Sequence, residues 1–165
     1  MFLEDIYQTH EDPGKYDLIG TILFGISECT RSESFNQILQ SGDLEQIRTI
    51  IAASHNGDRL GSHNSNSIFD LIKDKIPLTH ISGKWGFSTE DIVQMVDISN
   101  SIPGTVGAQL AGAGMGGNIV VLVKDGFADD ILSALRKEYY EPKNIPFDAH
   151  IYNPIFGASI LGEFG

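Results

Sequence analysis

The stretch from residue 112 to 117 has the residue types and spacing best suited to chemistry. It reads Gly-Ala-Gly-Met-Gly-Gly, with four glycines in six positions. A two-residue hairpin turn needs only one or two glycines, so the surplus allows a ligand or another backbone to approach closely. A tight hairpin whose glycines only supply positive φ angles is the alternative. The candidate site residues are Gly112, Ala113, Gly114, Met115, Gly116 and Gly117.

The glycine loop also satisfies the pattern GxGxxG, but its surroundings exclude two nucleotide-binding interpretations. A dinucleotide fingerprint has a strand before the loop and a helix after it. Here the continuous apolar run 119–123 follows and predicts a strand. A P-loop is excluded because no Lys-Ser or Lys-Thr pair ends the loop.

A few other side chains could serve a site or the fold. His55 closes a predicted helix, where it is either a contact in an active cleft or a C-terminal helix cap. Glu28 and Arg31 are three residues apart on a predicted helix, a spacing that favours an ion pair over catalysis. Trp85 lies between two glycines and either stacks on a ligand or anchors its loop on the core.

The elements around these residues predict an α+β fold. An apolar pattern of helical period covers 16–39, and Asp43 is placed to cap a second helix. Further helices are predicted near 68–73, from Ser88, and over 127–140, and strands over 106–110, 119–123 and 147–152. A short glycine-rich connection makes the two central strands antiparallel. We therefore expect one domain, residues 1–165, with an antiparallel sheet covered by helices on one face.

Composition narrows the classes of function. The sequence contains 11 Lys and Arg residues and 22 Asp and Glu residues, so its net charge is −11. This negative charge argues against nucleic-acid partners and polybasic membrane anchors. The single cysteine, Cys29, and the scattered histidines provide no metal-ligand spacing, so no metal site is expected. No signal peptide is recognised, and the longest apolar run, 19–26, is too short to span a bilayer. These features predict a cytoplasmic protein without a membrane partner.

Several motifs in the same order resemble the GHMP small-molecule kinases, and most of all their galactokinase branch. The glycine loop and the strand after it resemble the third signature motif of that family. The supporting segments are Gly107–Asn118, Glu28-x-x-Arg31, Ser54-His55-Asn56, Ser88–Val96, Pro146-Phe147 and Gly157-Ala158. Ala111 and Asn118 stand where the motif often carries Thr and Cys. The resemblance extends over most of residues 16–160.

The resemblance implies a ferredoxin-like C-terminal domain of a sugar kinase, which transfers the ATP γ-phosphate to a sugar hydroxyl. The N-terminal kinase domain, with the catalytic Asp and the phosphate loop, is expected to be missing. No catalytic residue is therefore expected in this chain, and it should be inactive alone. ATP and Mg²⁺ would serve the complete enzyme and not bind this chain tightly. Self-association through the side carrying Met115 is expected.

Two other functions remain open from the sequence. One is a GHMP kinase that acts on another sugar or on a small alcohol. The other is a galactokinase-like sensor or interaction module without catalytic activity.

Overall fold

The computed structural model describes residues 17–60 and 74–153. Within these ranges, four α-helices of eight or more residues and two β-strands follow one another. Their bounds are α1 Leu18–Ser41, α2 Leu44–Asp58, α3 Glu90–Ser101, β1 Thr105–Ala111, β2 Asn118–Val123 and α4 Ala128–Leu135, with a 3₁₀ turn at Leu78–His80. Helical backbone continues beyond α4 as a π-helical turn, Arg136–Tyr140, and a last turn, Glu141–Lys143.

Helices α1 and α2 form a hairpin whose turn is set by Gly42 and Asp43. Gly42 has φ +69° and its N–H donates to the carbonyl of Leu39 at 3.2 Å. Glycine takes this left-handed conformation without steric cost, which ends α1. The Asp43 carboxylate then accepts from the N–H groups of Glu45 and Gln46 at 3.1 Å. The predicted helix cap at Asp43 is confirmed.

The sheet is an antiparallel hairpin, as predicted. Leu110 pairs with Ile119, Ala111 pairs with Asn118, and a bulge lies between Thr105 and Gly107. Residues 112–117 join the two strands. The structure thus confirms the α+β class, with a two-stranded antiparallel sheet packed against helices.

Two apolar clusters hold the elements together. The larger one lies between the sheet and helices α3 and α4, and it contains Ile92, Met95, Val96, Ile98, Ala108, Leu110, Ile131, Ala134, Leu135 and Tyr139. The smaller one joins α1 and α2 to β1 through Ile38, Ile47, Ile50, Ile51 and Val106. Helices α3 and α4 therefore cover one face of the sheet, while α2 packs along β1.

Helix α2 also covers the edge of β1 that does not pair with β2. Arg48 donates from Nη2 to the carbonyl of Thr105 at 2.9 Å and from Nε to that of Val106 at 3.4 Å. The approach is close, because a Cβ atom on Gly107 would lie 2.9 Å from Cγ2 of Ile51. Contacts from α2 thus satisfy backbone groups that an open strand edge would leave exposed.

The strand predicted over 147–152 is wrong, since residues 145–153 have no regular secondary structure. Side chains hold this segment instead of a ladder of backbone hydrogen bonds. The Tyr140 hydroxyl donates to the carbonyl of Asp148 at 2.8 Å. The ring of Phe147 meets that of Tyr140 edge-on at 5.1 Å and lies 4.3 Å from the Arg136 guanidinium carbon. Phe147 therefore packs on the π-helical turn that follows α4, whereas Ile151 and Tyr152 are exposed.

Two helix boundaries also differ from the prediction. Thr89, and not Ser88, caps α3, because its Oγ1 accepts from the N–H of Ile92 at 3.3 Å. Pro142 lies inside the last helical turn, which ends at Asn144 with φ +52°.

The helix predicted near 68–73 lies outside the described residues. None of the helices within 17–60 and 74–153 has the length and apolarity needed to cross a bilayer.

Candidate functional site

The glycine loop has a backbone that few residues other than glycine adopt. Five of its six residues have positive φ: Gly112 (+99°), Gly114 (+89°), Met115 (+62°), Gly116 (+121°) and Gly117 (+99°). Left-handed backbone at Met115 is uncommon for a residue with a side chain. All four loop glycines supply positive φ, as the hairpin alternative requires, and the loop has more left-handed residues than a two-residue turn.

One hydrogen bond fixes this loop to the rest of the domain. The N–H of Met115 donates to the carbonyl oxygen of Phe87 at 2.7 Å. Gly114 lies so close to the same residue that a Cβ atom there would be 2.4 Å from the Phe87 oxygen. Glycine is required at this position by packing as well as by φ.

The other side of the loop is open. Added Cβ atoms on Gly112 and Gly116 would meet no atom within 4 Å of the described chain. Within residues 17–60 and 74–153, no hydrogen-bond acceptor is found for the N–H groups of Gly114 and Gly116. Backbone amides arranged in this way can bind an oxyanion or hydroxyl oxygen without any side chain.

Residues 81–89, here called the aromatic segment, connect the loop to the end of α2. Its N–H groups cap carbonyls that α2 leaves unpaired at its C-terminus. Trp85 and Gly86 both donate to the carbonyl of Gly57, at 2.7 and 3.1 Å, and Ser88 donates to that of Asp58 at 2.8 Å. The loop, the aromatic segment and the end of α2 therefore form one connected scaffold.

The aromatic segment carries two exposed rings, Trp85 and Phe87, and Trp85 stacks on a ring of α1. Trp85 stacks on Phe24 with centroids 6.0 Å apart and on Phe87 at 4.7 Å. Hydrogen bonds anchor the segment that carries Trp85, and the residue is 44% exposed. Its stacking on a ligand stays a prediction. The sequence prediction did not include Phe24 and Phe87; for Phe87 the available signal was its position two residues after Trp85, with Gly86 between them.

His55 lies inside α2 and is 2% exposed. Its Nδ1 accepts from the N–H of Leu110 in β1 at 3.4 Å, so the ring is neutral with its proton on Nε2. Among the described residues, this buried Nε2 has no hydrogen-bond partner. Burial and, next, the Arg59 charge lower the pKa of His55 to about 4. Its role as a cleft contact stays a prediction.

Glu28 and Arg31 form the ion pair that their spacing predicted, with Nη2 to Oε1 at 2.5 Å. The buried Arg31 guanidinium also donates to the carbonyl oxygens of Ile81 at 2.7 Å and Thr79 at 3.1 Å. Arg31 thus attaches α1 to the start of the aromatic segment. Beside this pair, burial and then the Glu28 charge raise the pKa of the Asp58 carboxyl to about 6, against an opposing effect of Arg31.

Metal-binding groups are not concentrated near this scaffold. Within the ranges that the structure describes, no three His, Cys, Asp or Glu side chains lie close enough to hold an ion together. The groups that the structure brings together at the loop are its backbone amides and the ring of Phe87, which stacks on Trp85.

Comparisons with known proteins add no assignment to this geometry. Protein-family models, curated proteins and solved structures were compared with the chain, and none matches.

Proposed function

We propose that this chain is the C-terminal domain of an ATP-dependent sugar kinase of the GHMP type, most like the galactokinases. The open glycine loop is the observation that supports this proposal. It joins two antiparallel strands, presents amides without acceptors among the described residues, and is fixed to Phe87. Its sequence resembles the family's third signature motif.

Phosphoryl transfer suits a loop of this kind because the reaction depends mainly on positioning and on stabilising charge. The loop has no acidic or basic side chain, so it would contribute amide donors and a fixed geometry. When bound, MgATP supplies the phosphoryl group and the cation that neutralises it. In this proposal the N-terminal kinase domain binds MgATP, as in the family that the sequence resembles, and this chain would supply the glycine loop.

An exposed apolar stripe on α1 fits this division into two domains. Leu18, Ile19, Ile22 and Ile26 recur along the helix at intervals that place them on neighbouring turns, and all are exposed. Contiguous apolar surface of this kind marks an interface. We propose that the kinase domain packs on this part of α1, in the cytoplasm, where ATP is available.

The proposal is tested by measuring transfer of labelled γ-phosphate from ATP to a panel of sugars and small alcohols. We expect the full-length gene product to phosphorylate a sugar and the 165-residue chain alone to be inactive. If the purified chain alone transfers phosphate, and a mutation within it abolishes this activity, the assignment of catalysis to another domain is contradicted. Sugar binding by the full-length product without phosphate transfer would support the sensor alternative.

A further inference from the structure

The three stacked rings end in an open aromatic face beside the glycine loop. Trp85 lies between Phe24 and Phe87, so Phe87 forms one end of the stack. Phe87 is 39% exposed, and its backbone contacts Gly114 and Met115 of the loop. A ligand that lies on this ring is therefore next to the loop amides.

The backbone that carries these rings is held in place before any ligand binds. Residues 84–88 donate four hydrogen bonds to neighbouring elements, from Lys84 to Gly20 O (2.8 Å), from Trp85 and Gly86 to Gly57 O, and from Ser88 to Asp58 O. Gly83 also lies against α1, since a Cβ atom there would be 2.2 Å from the N atom of Phe24. A preformed aromatic surface costs little conformational entropy when it binds a ligand.

The chemistry of this surface selects a neutral, hydroxylated ring. An aromatic face packs against a flat apolar surface and is attracted to the weakly positive hydrogens of C–H groups. The amides of Gly114 and Gly116 can donate to oxygens at the edge of the same ligand. An anionic ring would be repelled by the negative face of the aromatic side chain.

We propose that Phe87, backed by Trp85, is the platform on which the acceptor monosaccharide stacks, with a hydroxyl group directed to the amides of the glycine loop. The description of this sugar as a phosphate acceptor rests on the proposed function, whereas its binding to the platform does not. The platform accounts for two large aromatic rings that a rigid segment leaves in contact with solvent.

The test uses Trp85, the only tryptophan of the sequence, as a reporter beside the platform. The chain is titrated with galactose, with other aldoses, and separately with adenosine, while Trp85 emission and saturation-transfer NMR of the ligand are recorded. We expect a saturable emission change with a monosaccharide and transfer to the C–H protons of its ring. Phe87→Leu keeps apolar volume but removes the aromatic face, so the sugar Kd should rise at least about tenfold.

Phe35→Leu is the matched control, because Phe35 is 37% exposed on α1 and lies outside the platform. It should leave the sugar Kd unchanged. Equal effects of the two substitutions, a saturable response to adenosine in place of sugar, or no saturable response to any aldose would each overturn the platform. Thermal unfolding of both variants shows whether they fold, and Phe87→Tyr, which keeps the ring, should retain sugar binding.

The two proposals can fail separately. If sugar binding depends on Phe87 but the gene product transfers no phosphate, the platform is supported and the kinase function is rejected. Phosphate transfer with an unchanged sugar KM in Phe87→Leu would retain the kinase function and remove the platform. A rise in the sugar KM at constant kcat is the result expected if both are correct.

Discussion

The N–H of Met115 and the carbonyl oxygen of Phe87 form a hydrogen bond of 2.7 Å between two surface segments. It places the glycine loop of the hairpin against the exposed aromatic rings. Because Gly57 O and Asp58 O hold the aromatic segment in turn, the position of the loop depends on the end of α2. The candidate site is thus built from three segments distant in sequence.

Gly116→Ala should separate a functional loop from a structural one. The added methyl group enters the open space where a ligand would approach, and it also strains a backbone at φ +121°. In the full-length product we expect kcat/KM to fall about a hundredfold, equivalent to about 2.7 kcal/mol. The strained backbone should lower the free energy of unfolding by about 2 kcal/mol.

Gly126→Ala is the matched control for that experiment. Gly126 has φ +84° and open space around an added Cβ, but it lies in the turn between β2 and α4. It should lose a similar amount of stability and keep its activity. Parallel loss of activity in the two variants would show that the loop acts only through the fold.

Gly114→Ala should be destabilising for a different reason. Its Cβ would lie 2.4 Å from the Phe87 carbonyl oxygen, so the loop must move away from the aromatic segment. We expect chemical denaturation to give a free energy of unfolding about 2 kcal/mol lower than in Gly126→Ala. Equal stability of these two variants would mean that the loop is not packed against Phe87.

Arg31→Lys should weaken the attachment of the aromatic segment to α1. Lysine cannot reproduce the fork through which the buried guanidinium contacts Glu28, Thr79 and Ile81. The free energy of unfolding should fall by about 2 kcal/mol. Arg48→Lys is a control with a more exposed side chain and should cost less than about 1 kcal/mol. Equal costs would contradict the attachment that we assign to Arg31.

Ile22→Glu tests the apolar stripe of α1 as an interface. The charge should weaken binding to the kinase domain, or self-association of the isolated chain, by at least about tenfold, without loss of stability because Ile22 is exposed. Sedimentation velocity measures the association. Met115→Glu is compared with it, since Met115 is 79% exposed on the loop side. If Met115→Glu weakens association and Ile22→Glu does not, the interface lies at the glycine loop and not on α1.

The hairpin could be predicted because its signals are local in sequence. A change of period surrounds a cluster of glycines, and the spacing of Glu28 and Arg31 sufficed for their ion pair. The stack of Phe24 on Trp85 could not be predicted, because it depends on how α1 packs against a segment without periodicity. The same holds for the bond from Leu110 to His55, which joins two separate elements.

The pH dependence of stability offers a test of two titratable groups at the end of α2, the buried His55 and the half-buried Asp58. The pKa of His55 is lowered from 6.5 to about 4, so the folded protein keeps this ring neutral. The contribution of His55 to stability is therefore fully present above pH 6.5 and is lost as the pH falls towards 4. Asp58 acts in the opposite direction. Its pKa is raised to about 6, so its protonated form stabilises the fold below about pH 4, and this is lost as the pH rises through 6.

Asp58→Asn should therefore change stability in a way that depends on pH. Above pH 7 the variant avoids a half-buried carboxylate and should be about 1 kcal/mol more stable than the wild type. The advantage should disappear as the pH is lowered from 6 to 4, where the wild-type carboxyl becomes protonated. The difference between the two proteins cancels titrations that they share, including that of His55. A difference that stays constant from pH 4 to pH 8 in urea denaturation would show that Asp58 ionises as it does in the unfolded chain.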